Sequence, residues 1–501
     1  MTGLARSALN NLVAAVLPAL VMLFTVPILI RGLGDAQYGL LVILSSVTGY
    51  LSVLDLNLTA GSIRFLAAAK ARDEQEESWQ VLSLGAAFYV AIGLLGAVLI
   101  WMFAGPLVDA LVDARLYARD QAVQVLRITA LGFLLGQLYS FLLSVPQALQ
   151  RYDLSARVEV VNGSLVPLCT AGIVLLGADL VGVTWLRNGA ALLVVGALVV
   201  MVQRLLPGLR WRWPRAALRN ELLAFSGFAY LNRLASLSYQ HSDKIVIAAV
   251  LDVRQVALYT VPVLLANRIM GTTFRLTQVL FPASSALLAQ GRQDEVQQLM
   301  GLGMRLVFGI NAMAVVGVLL LGDWFLTHWL GRDYAQTGGL VLTLVALGAL
   351  VDSLTNAPAL VTDGAGRTRD TGMFAISRAA VGLLALYLGA RWGGIVGVAA
   401  SHLLVSVLFT MLFLAYFCRS VLPMSLVALL REALLPGLIV GAAGLLTGWI
   451  VGVALPGWPG EAPLQVSAAM LVMGVVSWGC VLTPALRQRV LARLGPAGRA
   501  P

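Results

Sequence analysis

Residues 79–104, WQVLSLGAAFYVAIGLLGAVLIWMFA, form an uninterrupted stretch without a charged side chain. A helix needs about 20 mostly apolar residues to cross the ~30 Å hydrocarbon core of a bilayer. This stretch is long enough, and similar apolar runs recur along the whole chain, separated by short polar loops. The pattern predicts membrane-spanning helices rather than the core of a soluble domain.

Composition supports the same fold class. Of the 501 residues, 59% are hydrophobic and only 12% are charged, and the mean hydropathy is +0.88. These values exclude a chain of soluble domains. The first run is too long for the apolar region of a signal peptide, so we expect it to be retained. We predict an all-α polytopic membrane protein with about fourteen spans, at residues 8–30, 38–62, 79–104, 122–145, 156–177, 180–203, 222–250, 256–284, 302–328, 338–361, 371–391, 394–418, 433–455 and 464–485.

The distribution of Lys and Arg predicts the orientation. Of the 34 such residues, twenty lie in loops on one side of the predicted spans and six in loops on the other. Basic segments near span ends resist translocation, so the side with twenty is expected to be cytoplasmic. We therefore predict an inner-membrane protein with both termini in the cytoplasm.

A basic connection at residues 204–219 divides the chain into six spans and eight. Its Trp211 and Trp213 favour the headgroup level of the membrane. Two segments after the first spans of each part resemble each other, residues 33–40 and 251–258, at an offset of about 220 residues. Chance similarity remains an alternative to a parallel repeat of two six-helix lobes. The predicted parts are an N-lobe at 1–207, a cytoplasmic linker at 208–221, a C-lobe at 222–418, a C-terminal helix pair at 433–485 and a cytoplasmic tail at 486–501.

The thirteenth predicted span has a face of small residues. Glycine recurs there every three or four positions, which permits close approach of another helix. The face could pack within the chain or form a dimer, and packing within the chain is the expected use. Its members are Gly437, Gly441, Gly444, Gly448 and Gly452.

Eight basic residues lie inside the predicted spans, where an ionised side chain costs about 2.5–3.5 kcal/mol on insertion scales. Acidic residues at comparable depth are fewer, so the interior is basic on balance. Arg233, His241 and Lys244 share one helical face of span seven, and Arg268 and Arg275 lie two turns apart in span eight. Together with Arg64 in span two, these cations predict a water-filled cavity that binds an anionic substrate.

Other roles for these charges remain open. Arg64, Arg127, Arg187 and Arg378 lie near span ends, where an arginine can extend to the interface. Possible ion-coupling residues are Asp55, His241, Asp243 and Asp352. His241 could instead be a packing residue, Asp243 could neutralise Lys244, and Asp352 could form an interhelical hydrogen bond.

The sequence carries no catalytic motif. There is no zinc motif, nucleophile elbow or phosphate-binding loop, and the three cysteines lack metal-ligand spacing. The arginines are spread over short loops, which argues against nucleic acid as a partner. We therefore expect no enzymatic activity, catalytic residue, cofactor or metal.

Several motifs resemble the polysaccharide transport branch of the multidrug, oligosaccharidyl-lipid and polysaccharide exporter superfamily, the Wzx-type flippases. They occur in order along nearly the whole chain: RGLGDAQYG at 31–39, DLNLT at 55–59 with IRF at 63–65, ALQRY at 148–152, DK at 243–244 and VALY at 256–259. The resemblance implies two six-helix lobes that open alternately around a central cavity.

The resemblance also implies a substrate. Such proteins move a polyprenyl-diphosphate-linked oligosaccharide from the cytoplasmic to the periplasmic leaflet for O-antigen, capsule or exopolysaccharide synthesis. The implied partners are this lipid-linked oligosaccharide, membrane lipids and other polysaccharide assembly proteins. Alternatives are a drug or cation exporter or a lipid II flippase of the same superfamily, and, less favoured, a membrane-embedded polymerase or ligase.

Overall fold

The computed structural model describes residues 2–51, 58–72, 74–111, 119–149, 151–208, 210–216, 218–220, 242–277, 284, 287, 290–456, 460–482 and 487. Within these ranges the chain is helical and has no strand, which confirms the predicted all-α class. Residues 242–250 are also helical. The other described helices are α1 Thr2–Tyr50, α2 Leu58–Ala71, α3 Gln75–Leu111, α4 Arg119–Ala148, α5 Tyr152–Leu175, α6 Leu180–Leu205, α7 Val253–Thr277, α8 Gln293–Leu330, α9 Arg332–Gly364, α10 Thr368–Ser420, α11 Leu426–Ala454 and α12 Glu461–Cys480.

Ten helices of the described ranges are long and apolar enough to cross a membrane. Two of them contain one glycine with a non-helical backbone, Gly34 in α1 with φ 82° and Gly394 in α10 with φ 58°. A positive φ suits glycine because it lacks a Cβ. Gly394 lies at the junction of the eleventh and twelfth predicted spans, both of which α10 contains. Gly34 lies between the first and second predicted spans, and α1 contains the first of them and the first part of the second.

The chain reverses direction within α10. Residues eight apart in a straight helix are separated by about 12 Å along its axis. Here the backbones of Gly389 and Gly397 are so close that a Cβ on either would overlap the carbonyl group of the other. The two halves of α10 therefore form a helical hairpin with its turn at Gly394.

Contacts divide the chain into two compact units, residues 1–258 and 259–501. In the first unit α1 packs on α5, α3 on α4, and α4 on α6. Tyr89 is fully buried at its centre, stacks on Phe141 at 5.4 Å and accepts a hydrogen bond from the Thr59 N–H at 2.9 Å. The predicted division at 208–221 rests on the basic connection and is supported by the weak repeat; these contacts test neither, and it stays a prediction.

In the second unit α8 packs against α9, α11 and α12. The glycine face of α11 packs against both α8 and α12. A Cβ on Gly437 or Gly448 would overlap side chains of α8, and a Cβ on Gly444 would overlap Met473 of α12. Packing of this face within the chain is therefore confirmed.

The basic connection is held against α3. The backbone N–H groups of Arg212 and Arg215 donate to Ser83 Oγ at 3.0 Å and Gln80 Oε1 at 3.3 Å. Trp211 and Trp213 are exposed. Two aromatic side chains are thus presented at the surface beside several arginines, as an interfacial segment requires.

Candidate functional site

The predicted site residues fall into three groups. Arg233, His241 and Asp55 lie outside the described residues. Arg64 lies in α2, and Arg268 and Arg275 lie in α7, but the side chains of these three arginines are also outside the described part. The side chains that the structure describes are those of Asp243, Lys244 and Asp352.

Asp243 and Lys244 form an ion pair at the start of the helical residues 242–250. The Lys244 Nζ lies 3.1 Å from Asp243 Oδ1, and the Lys244 backbone N–H donates to the same oxygen at 2.8 Å. The Lys244 side chain is 13% exposed and the Asp243 side chain is 12% exposed. Because the charges neutralise each other at short range, the pair can remain in the membrane at a lower cost than either ion alone.

Asp352 belongs to a polar cluster that links α9 to both halves of α10. Arg378 Nη2 donates to Asp352 Oδ2 at 2.8 Å and to Ser406 Oγ at 2.9 Å. Asp352 and Arg378 are each 21% exposed, and Ser406 is fully buried. Asp352 thus forms an interhelical hydrogen bond, which was one of its two interpretations. The Arg378 side chain binds partners within the protein.

The backbone positions of Arg268 and Arg275 agree with the predicted spacing. Both lie in the continuous helix α7. Seven residues correspond to two turns, so the two arginines occupy one helical stripe about 10 Å apart. That separation would allow two cations to contact different parts of one extended anion.

Sequence reasoning missed one interhelical pair. Arg305 of α8 lies 2.9 Å from Glu432 of α11, with side chains 20% and 52% exposed. Arg305 falls just inside the ninth predicted span but counted as a loop residue. Its position inside that span was the feature of the sequence that could have indicated a partner on another helix. Among the described residues, no group of three or more His, Cys, Asp or Glu could hold a metal ion.

The segments proposed as repeat equivalents contact each other. Asp35 lies 3.7 Å from Arg254, and a Cβ on Gly39 would overlap the backbone carbonyl of Val253. These residues belong to segments 33–40 and 251–258. On the predicted orientation both segments lie on the periplasmic side, so they form a contact at that end of the first unit.

The arrangement of the helices is similar to that of several solved transporter structures. It is similar to an inward-facing multidrug resistance MATE family transporter of the MOP superfamily, with a TM-score of 0.70 and 12% identity over 84% of this chain and 99% of that one. It is equally similar to lipid II flippase MurJ in an inward closed conformation, with a TM-score of 0.70 and 12% identity over 94% and 97% of the two chains. A MOP superfamily transporter from Pyrococcus furiosus gives a TM-score of 0.62, with 12% identity over 85% and 95%.

Sequence comparison identifies the family. The family described as "Polysaccharide biosynthesis protein" matches residues 28–337, more than half of the chain, and the protein belongs to it. A Shigella flexneri protein named "Putative O-antigen transporter" is 23% identical over 408 residues, which cover 79% of this chain and 93% of that protein. The protein is thus a multi-pass membrane protein of this polysaccharide biosynthesis family.

Proposed function

We propose that this protein is a flippase that moves a polyprenyl-diphosphate-linked oligosaccharide from the cytoplasmic to the periplasmic leaflet. The family match over residues 28–337 carries the proposal, and the Shigella flexneri relative supports it. That relative is a transporter by name, which agrees with a non-enzymatic role. The product would be used for a surface polysaccharide such as O-antigen, capsule or exopolysaccharide.

The proposed mechanism is alternating access through a cationic cavity. A diphosphate must lose water on its way across the membrane, and fixed cations offset part of that cost. We propose Arg64, Arg233, Arg268, Arg275 and Lys244 as the cationic groups. Because Lys244 is paired with Asp243, it would have to exchange that carboxylate for a phosphate oxygen in order to bind the diphosphate. Otherwise Lys244 acts only as a member of the ion pair.

Three acidic side chains and one histidine are the proposed groups for ion coupling. Asp55, His241, Asp243 and Asp352 are the candidates. The ion pair of Asp352 with Arg378 favours a structural role for Asp352 over cation binding, because a bound cation would compete with the guanidinium. Asp55 and His241 then remain the stronger candidates for coupling.

The proposed location is the bacterial inner membrane, with both termini in the cytoplasm. The excess of Lys and Arg in alternate loops supports this orientation. The exposed Arg210, Arg212 and Arg215 would then face the cytoplasmic leaflet, whose anionic lipids attract basic segments.

Deletion of the gene tests the proposed function directly. We expect loss of surface polysaccharide and accumulation of a polyprenyl-diphosphate-linked oligosaccharide that remains accessible only from the cytoplasmic side. Extraction of the lipid fraction and mass spectrometry would identify the glycan. An unchanged surface polysaccharide and an unchanged pool of lipid-linked oligosaccharide would contradict the proposal.

The structural similarities favour two specific alternatives, a drug exporter and a lipid II flippase. Deletion would raise drug sensitivity without a change in surface polysaccharide in the first case. It would block peptidoglycan synthesis and cause lipid II to accumulate in the second. The same deletion strain therefore separates all three functions.

A further inference from the structure

A groove on the surface of the first unit has no part in the proposed transport pathway. It lies where α3, α4 and α6 meet and has a volume of about 510 Å³. Sites for small molecules typically measure 300–1,000 Å³, so the groove is large enough for a lipid headgroup. The lining residues that matter for its chemistry are Trp101, Asp120, Gln124, Arg127, Leu131 and Trp185.

Close helix packing forms the groove. The buried Asn188 side chain of α6 donates from Nδ2 to the backbone carbonyl of Ile128 in α4 at 2.7 Å, which places Trp185, one turn earlier, beside α4. Gly96 of α3 packs against Phe133 of α4 so closely that no Cβ would fit without movement of that ring. The three helices are therefore held at fixed positions around the groove.

Two polar contacts fix the mouth of the groove. Arg119 at the start of α4 donates from Nε to Asp109 Oδ1 at 2.6 Å and from Nη2 to Asp109 Oδ2 at 2.9 Å; Asp109 lies near the end of α3. Gln121 donates to Asp179, the N-cap of α6, at 3.3 Å. On the predicted orientation, these helix ends lie at the periplasmic face, so the groove opens to the periplasmic leaflet.

Arg127 supplies a cation near the start of α4, on the predicted periplasmic side. It lies about one turn inside the predicted span 122–145, and its guanidinium carbon is 4.9 Å from the centre of the Trp101 ring. A cation–π contact occupies the face of the guanidinium and leaves the N–H groups at its edge available to oxygen acceptors. Among the described residues, Arg127 forms no ion pair with a carboxylate.

Four exposed side chains on one face of α4 are ordered by polarity. Positions 120, 124, 127 and 131 are spaced by four, three and four residues and therefore share one helical face. From water toward the membrane centre this face presents a carboxylate, an amide, a guanidinium and an apolar side chain, from Asp120, Gln124, Arg127 and Leu131, all of them exposed. An ethanolamine phospholipid has the matching order of ammonium, phosphate and acyl chain.

We propose that this groove is a binding site for an ethanolamine phospholipid of the periplasmic leaflet. Arg127 binds the phosphate, Asp120 the ammonium group, and Leu131 contacts the start of an acyl chain. The Cα atoms of Asp120 and Arg127 are about 10 Å apart along the helix axis, and helical side chains lean toward the N-terminus, which brings the guanidinium closer to Asp120. The exposed Trp101 and Trp185 suit the headgroup level.

The charge order distinguishes this ligand from related lipids. Phosphatidylglycerol carries the phosphate but offers no cation to Asp120. Phosphatidylcholine carries a cation without N–H donors. Inorganic phosphate lacks the acyl chain. A lipid-linked diphosphate would bring additional negative charge toward Asp120, which disfavours it.

Native mass spectrometry of the purified full-length protein, with equal amounts of phosphatidylethanolamine, phosphatidylglycerol and phosphatidylcholine, tests the proposal. We expect the wild type to retain phosphatidylethanolamine preferentially. Arg127→Gln should weaken its retention about tenfold, because charge-assisted hydrogen bonds to the phosphate are lost. Asp120→Asn should remove the preference over phosphatidylglycerol. The matched control is Arg391→Gln, which removes an exposed arginine beside an exposed tryptophan, outside the groove, and should change nothing.

Three results would overturn the proposal: equal retention of phosphatidylglycerol by the wild type, undiminished binding by Arg127→Gln, or binding of an oligosaccharide but no phospholipid. Size-exclusion profiles and Tm values establish that each variant is folded. Should Arg127→Gln misfold, the exposed Asp120→Asn variant decides on headgroup preference alone. None of these measurements depends on transport, so the flippase proposal can fail while this one stands.

Discussion

Two pairs of charged side chains within the predicted spans are joined at short range in the described part of the chain. Lys244 pairs with its neighbour Asp243, whereas Arg378 pairs with Asp352 from another helix. The first pair joins sequence neighbours within one helix, while the second ties α10 to α9. The two pairs therefore have different consequences for folding and for transport.

Asp352→Asn is predicted to destabilise the protein. It leaves the partly buried Arg378 without its carboxylate, which we expect to cost about 1–3 kcal/mol and to lower the Tm in detergent by several degrees. The double variant Asp352→Asn/Arg378→Gln should recover part of the loss, since no uncompensated charge remains. Asp153→Asn is the control, because its pair with Arg151 is exposed and contributes little.

The same variant distinguishes a structural residue from an ion-coupling residue. If Asp352 is structural, transport by the folded Asp352→Asn protein keeps its dependence on proton or sodium gradients. Loss of that dependence at unchanged Tm would contradict the structural assignment.

Arg268→Ala and Arg275→Glu are predicted to abolish export of surface polysaccharide. Both would remove a cation from one stripe of α7, and the glutamate would also repel a diphosphate. Immunoblots of the membrane fraction and of surface polysaccharide check insertion and activity separately. Arg292→Ala, at an exposed loop arginine paired with Glu295, should leave both unchanged. Normal polysaccharide with both α7 residues replaced would refute their place in the cavity.

The residues with unusual charge could be found from the sequence, but their partners could not. Asp352 and Arg378 stand out because each is ionisable within an apolar run. Their pairing depends on how α9 and α10 pack, and Ser406 joins them from a third segment with no charge to signal it. Hydropathy shows which segments are apolar enough to lie in the membrane, but it contains no information on which helices are neighbours.

At the scale of helices, glycine determines where elements bend and how closely they approach. The hairpin within α10 offers a matched test. Gly397→Ala places a methyl group against the backbone carbonyl of Gly389, whereas Gly393→Ala meets no atom within 4 Å. Overpacking of this kind costs about 1–3 kcal/mol.

We therefore predict a lower Tm and reduced membrane yield for Gly397→Ala, with near-wild-type values for Gly393→Ala. Thermal unfolding monitored by tryptophan fluorescence or by size exclusion measures the difference. Equal stability of the two variants would show that the helices of the hairpin can separate slightly without cost.

The helices themselves were largely predictable. Apolar runs located the described spans, and the break between residues 391 and 394 coincides with the turn at Gly394. The glycine face of α11 also revealed itself by spacing. What spacing could not supply was the partner of each glycine, because Phe308, Leu320 and Met473 are ordinary apolar residues that only the fold brings to this face.

At the scale of the whole molecule, the two segments of the weak repeat, 33–40 and 251–258, are in contact. Two copies related by an axis along the membrane normal place equivalent loops on the same side of the membrane. Here the two segments meet through Asp35, Arg254, Gly39 and Val253. The similarity predicted equivalence of the segments, but not their contact.

Alternating access requires the periplasmic ends of the two lobes to separate when the substrate leaves. Since segments 33–40 and 251–258 come from different predicted lobes, their contact should break in every transport cycle. We predict that Asp35→Cys/Arg254→Cys, joined by a short bifunctional thiol reagent, stops polysaccharide export, and that a reducible reagent allows recovery. The Asp35–Arg254 ion pair is long, at 3.7 Å, and partly exposed, so it contributes little and the unlinked variant should remain active.

The pair Asp109→Cys/Arg119→Cys provides the control for this experiment. It also replaces an exposed ion pair, at the same predicted side of the membrane, but it joins α3 to α4 within one lobe. A link there should leave export unchanged, because the two helices move together. If both linked proteins export normally, segments 33–40 and 251–258 stay together throughout transport, and the periplasmic opening must form elsewhere.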